Sequence, residues 1–136
     1  MLSNNVLKNA VMNSSVLIHM VDVDENYGKL VKSILAKHNF KHVTLYTNET
    51  DCLANITKRP KVLITGYHLK TMSGLQLIKK AKSIFPGFYS ILLSGDFHKD
   101  TQNVYDERFI QYVDKYIIKG MDDMEELIDT VAYNLA

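Results

Sequence analysis

The chain has 136 residues, 46% of them hydrophobic and 23% charged, with sixteen Lys and Arg against fifteen Asp and Glu. That length suits one domain with a core of its own and is too short for two ordinary ones. The net charge of +1 provides no global field to gather nucleic acid or an anionic membrane surface. Cys52 is the only cysteine, so an intramolecular disulfide and a cysteine-built zinc site are both excluded, and a reducing cytoplasm is the expected setting.

The first fifteen residues, Met1 to Ser15, carry one Lys, four Asn and three Ser and lack the continuous apolar stretch of a signal peptide. They read as a polar extension ahead of a domain spanning 16–136. No run approaches the roughly 18 consecutive apolar residues of a membrane span, so a soluble protein is expected.

Val16 to Val21 is a mostly apolar run interrupted by His19, the pattern of a strand buried on both faces. From Glu25 to His38, Tyr27, Leu30, Val31, Ile34 and Leu35 recur at helical spacing, and Asp24 stands where its carboxylate can cap the free N–H groups. His42 to Tyr46 reads as a second strand, and Thr47 to Thr50 offer caps for a short helix through Cys52, Leu53 and Ile56, closed by Pro60.

Val62 to Thr65 is a third apolar run, followed by a loop from Gly66 to Ser73 and a helix marked by Leu75, Leu77, Ile78, Ala81 and Ile84. Tyr89 to Ser94 is a fourth strand, and 100–113 reads as a helix. Lys115 to Ile118 is the fifth strand. The last helix starts near Asp122 and aligns Met124, Leu127, Ile128, Val131 and Leu135. Five strands alternating with five helices predict an α/β fold, a doubly wound five-stranded parallel sheet of flavodoxin-like (βα)5 type, because each parallel crossover needs a helix-length connection.

In such sheets ligands bind outside the carboxyl ends of the strands. Those ends carry Asp22, Val23 and Asp24 after the first strand, Gly66 after the third, Ser94 and Gly95 after the fourth, and Lys119 and Gly120 after the fifth. In that order the chain resembles the receiver domain of bacterial response regulators (CheY-like) from about Val16 to Leu135. The resemblance implies two acidic residues after the first strand, a phosphoacceptor Asp opening D-x-x-x-P-x-x-x-G, a hydroxyl after the fourth strand and Lys-Pro after the fifth.

Counting back from Gly74 puts Gly66 at the phosphoacceptor position and Lys70 at the proline position. Pro60, taken as the proline that often precedes the third strand in that family, gives the same register. Thr65 and Tyr67 flank the position without supplying a carboxylate. Asp22 matches the first acidic residue, Val23 replaces the second, and Asp24 lies one residue beyond. Ser94 matches the hydroxyl, Tyr116 the switching aromatic and Lys119 the lysine, while Gly120 replaces the proline.

The resemblance therefore implies a degenerate pseudo-receiver, with no catalytic residue and no cofactor. Tight Mg2+ binding is not expected, since only Asp22 remains as a weak ligand candidate where one or two carboxylates commonly anchor the ion. A direct Asp22–Lys119 ion pair is the expected replacement for the lost phosphate bridge. Asp24 reads as a helix cap, and the five histidines are not read as a metal centre. Lys79, Lys80 and Lys82 read as the solvated face of a helix.

The implied role is a two-component signalling module that engages a protein partner, such as a histidine kinase or a regulator, without phosphorylation. Neither nucleic acid nor membrane is an expected partner. The expected docking or homodimer surface is the fourth helix, fifth strand and fifth helix, with Tyr112, Tyr116 and Tyr133. Two alternatives stand beside it: a phosphorelay receiver using Asp22 or Asp24 as a displaced acceptor, and a small flavodoxin-like enzyme or ligand binder using the cleft around Gly66.

Overall fold

The structure, a computed structural model, describes residues 16–95, 111–120 and 122–135. Its strands are β1 (Ile18–Val21), β2 (Val43–Tyr46), β3 (Val62–Gly66), β4 (Tyr89–Ser94) and β5 (Lys115–Ile118). Its described helices are α1 (Glu25–Lys37), α2 (Glu49–Ala54), α3 (Gly74–Ile84) and α4 (Asp123–Leu135). The polar extension expected over the first fifteen residues lies outside the described residues. So does nearly all of the helix expected over 100–113, whose last three residues, Gln111, Tyr112 and Val113, are turn and irregular backbone.

The five strands form one parallel sheet in the order β2-β1-β3-β4-β5. Ile18, Met20, Val62, Ile64, Ile91, Leu93 and Ile117 face one side, under α1 and the Leu127, Ile128 and Val131 stripe of α4. Val21, Leu63 and Leu92 face the other, under Cys52 of α2 and Leu75, Leu77 and Ile78 of α3. The continuous apolar runs exist because both sheet faces are covered. Connections run outward in both directions from β1, so the crevice between the carboxyl ends of β1 and β3 is the topological switch point.

Several expected boundaries shift for local reasons. β1 starts at Ile18 rather than Val16, and the preceding Leu17 uses its carbonyl to accept from Lys61 N at 2.9 Å. β3 runs one residue further than expected, because Gly66 pairs with Leu93 instead of opening the loop. α2 ends at Ala54, and a separate 3-10 turn, Ile56–Lys58, closes at Arg59 in the left-handed region, φ 59. Lys82, expected on a solvated face, has a side chain only 16% exposed: it bridges Asp114 at 3.1 Å and donates to the Phe88 carbonyl at 2.9 Å. Lys79 and Lys80 are exposed.

Gly74 is fixed by contact rather than by turn geometry. A Cβ there would lie 2.2 Å from the Gly66 carbonyl oxygen and 2.7 Å from a Leu92 methyl. The start of α3 therefore lies directly against the end of β3, and Gly74 N donates to Tyr67 O at 2.7 Å. Gly74→Ala is expected to destabilise the fold by about 2–3 kcal/mol through forced backbone displacement, read as a lower midpoint in urea unfolding.

His19 is completely buried on β1, edge-on to Tyr46 with ring centroids 5.1 Å apart. Neither ring nitrogen has a hydrogen-bond partner among the described residues. Burial, assisted by the positive charge of Lys58, pushes its pKa from 6.5 down to about 4. Above pH 6.5 the ring is neutral folded or unfolded; between 6.5 and about 4 only the unfolded chain takes up the proton. Stability should therefore fall across that window by about 3 kcal/mol in total. His19→Leu should remove this part of the acid loss, measured by urea unfolding at about pH 7 and about pH 4.

Candidate functional site

The switch-point crevice brings together the carboxyl ends of four strands. Asp22, Gly66, Ser94 and Lys119 line one small cleft of ≈ 120 Å³, with Asp24 and His68 at its edges. Asp22 is 2% exposed and Ser94 is equally buried, whereas Val23, at the second acidic position, is 49% exposed and supplies no polar atom. Lys70 and Gly120 are exposed.

The centre of the cleft is an ion pair. Lys119 Nζ lies 2.9 Å from Asp22 Oδ2, and the other oxygen, Oδ1, accepts from Asp24 N at 2.8 Å. Removing a carboxylate from water costs several kcal/mol, which is recovered only when a countercharge and further hydrogen bonds satisfy it. Here both oxygens are engaged, and the lysine side chain keeps 25% exposure. The same ammonium sits 4.2 Å from the centroid of the Tyr27 ring, within cation–π range.

Gly66 lies close against this pair. A Cβ at that position would lie 3.1 Å from Asp22 Oδ2, so a carboxylate there would face Asp22 and compete for Lys119. The Asp24 side chain turns away to its own helix, accepting from Tyr27 N at 3.1 Å as the N-cap of α1. The donor set fits Mg2+ poorly: one buried carboxylate already holds an ammonium, the second is a helix cap, and the third position is glycine.

Ser94 sits at the end of β4, where its carbonyl accepts from Lys119 N at 2.7 Å, locking the lysine's backbone to the sheet. Tyr116 lies in β5 opposite Leu92, half-buried against the α2/α3 side of the core. The site residues named from the sequence thus converge, apart from Tyr116, which packs beneath the sheet end rather than lining the cleft. His38 and His42 stand four apart, a spacing that suits metal only on a continuous helix. α1 stops at Lys37, and Asn39, at φ 71, turns the chain between them.

Two features were not anticipated. Glu49, 1% exposed in the first turn of α2, accepts through Oε1 from the Thr71 backbone N–H and hydroxyl, fastening the loop that follows Gly66. Burial alone would raise its pKa. The bonds from Thr71 and from the backbone of Glu49, Thr71 and Lys70 outweigh that and hold it low. The second is Tyr27, whose hydroxyl donates to Asp123 Oδ2 at 2.8 Å. Glu49 could be suspected from its place at a helix start, but nothing in the sequence pairs either residue with its distant partner.

No protein-family model matches the chain, and no curated protein matches it in sequence. Solved structures do. The signal receiver domain of an HD domain-containing protein from Pseudomonas fluorescens Pf-5 superposes with a TM-score of 0.75 at 24% identity, covering 88% of this chain and 86% of that one. A CheY-like response regulator receiver domain protein from Methanospirillum hungatei JF-1 gives 0.75 at 22%, covering 88% and 93%. The response regulator TrrA from Thermotoga maritima, in complex with Mg2+ and BeF, gives 0.75 at 19%, covering 88% and 98%.

The chain has the receiver fold. Within the described part of that fold, no helix is long and apolar enough to cross a membrane. The strand-end cleft just described occupies the switch-point position of the receiver fold, with an ion pair at its centre.

Lys119→Met would leave Asp22 buried with only the Asp24 N–H as partner. The expected cost is about 2 kcal/mol, below the usual figure for orphaning a buried charge because Lys119 is partly solvated. Asp22→Asn combined with Lys119→Met should cost less than the sum of the two single changes, as read from a double-mutant cycle in urea.

Proposed function

We propose that this chain is a pseudo-receiver: a two-component signalling module that acts through protein contacts, without aspartyl phosphorylation and without catalysis. The observation that carries this reading is glycine at position 66 beside an Asp22 carboxylate already neutralised by Lys119. An acyl phosphate needs a carboxylate nucleophile, and none stands at the end of β3. Mg2+ has no role in this reading, because the ammonium occupies the oxygen a cation would use.

A displaced acceptor is disfavoured by the engagement of both carboxylates, Asp22 in the pair and Asp24 at the α1 cap. The cleft, at ≈ 120 Å³, is smaller than the roughly 300 Å³ at which ordinary small-molecule sites begin. A protein partner such as a histidine kinase or a regulator fits the receiver resemblance. The surface first in line is β5 with α4, where Ile118 and Tyr133 are 42% and 63% exposed. Tyr112 and Tyr116 pack inward on the opposite, α2/α3 side of the core and are not part of that exposed surface.

Incubation with a small-molecule phosphodonor and Mg2+ tests the reading by intact mass. The protein should remain unmodified under conditions that label a receiver possessing its acceptor aspartate. A stoichiometric added phosphate mapped to Asp22 or Asp24 would overturn it in favour of the displaced acceptor.

A further inference from the structure

The ion pair in the cleft is joined to a second polar contact through one side chain. Lys119 Nζ lies over the face of the Tyr27 ring at 4.2 Å, and the hydroxyl at the far end of that ring donates to Asp123 Oδ2 at 2.8 Å. Asp123 is 8% exposed and opens α4, where its other oxygen accepts from Met124 N at 3.0 Å. A continuous chain therefore runs from Asp22 through Lys119, Tyr27 and Asp123 to the first turn of the C-terminal helix.

Tyr27 and α4 both pack on the sheet face opposite the one against which Tyr116 packs. The receiver resemblance would lead from Ser94 to Tyr116. The connected polar groups lead instead to α1 and α4. Burial and the Asp123 bond raise the Tyr27 pKa well above its ordinary value, so the hydroxyl keeps its proton and stays a donor.

We propose that Tyr27 is a coupling strap: it carries the state of the Asp22–Lys119 pair to the first turn of α4, so that drawing either charge out of the pair loosens the start of that helix. A partner side chain of either sign that entered the cleft would act through this route. The strap rests on the geometry alone and does not depend on whether the chain takes up phosphate.

Amide hydrogen exchange tests it at Glu126, whose N–H donates to the Asp122 carbonyl at 3.0 Å in the first turn, with the buried Ile64 of β3 as the gauge of global stability. Tyr27→Phe keeps the ring under Lys119 and removes only the hydroxyl; Glu126 should then exchange about three- to tenfold faster, beyond any change at Ile64. Lys119→Met, or Asp22→Asn should that variant not fold, should have a similar effect in the parent and less than about a twofold effect in the Tyr27→Phe background. Equal acceleration in both backgrounds, or none at Glu126 beyond that at Ile64, would refute the strap.

Discussion

The burial of Asp22 is the constraint on which the carboxyl end of this sheet depends. A carboxylate 2% exposed at the end of a central strand must be compensated, and the compensation is both distant and local in sequence: Lys119 from the far end of β5, and the N–H of Asp24 two residues on, at the start of the next helix. The pair ties the interior first strand to the last, an edge strand, from which β3 and β4 separate it in the sheet. Lys119 is in turn held by its own backbone bond to Ser94. A single desolvated charge thus organises the ends of three strands.

Glycine at position 66 fits this arrangement, its backbone close against the Asp22 carboxylate. Where a third carboxylate would add repulsion beside Asp22, its absence lets one lysine neutralise the remaining acid directly. Close approach has a second use nearby, because Gly74 lets α3 begin against the Gly66 carbonyl, while Glu49 holds the intervening loop through Thr71. The residues around position 66 are packed and hydrogen-bonded. They form the structured wall of the small strand-end cleft.

The opposite end of the sheet has its own polar lock. Asp114 accepts from Ser90 N at 2.8 Å and from Lys82 at 3.1 Å, fixing the entry to β5 against that of β4. Between the two ends lies an apolar sandwich in which His19 is the one buried imidazole among the described residues, held neutral by its surroundings.

The alternation of apolar runs with amphipathic segments was enough to determine the parallel α/β sheet, since strands such as Val62 to Thr65 are uniformly apolar only where both faces are covered. Spacing back from Gly74 located position 66, and the order of strand ends brought Asp22, Ser94 and Lys119 to one edge. Helix ends set by local capping, as at Asp24 and Ser73, were legible because cap and backbone lie within a few residues. Tertiary structure alone decided the rest: that Lys82 is bound to Asp114, that Glu49 reaches Thr71, that Tyr116 packs beneath the cleft, and that Tyr27 joins Lys119 to Asp123. Each of these is a contact between side chains many residues apart, whose partners are chosen by how the layers pack and which charges they bury, and no periodicity in the chain records that choice.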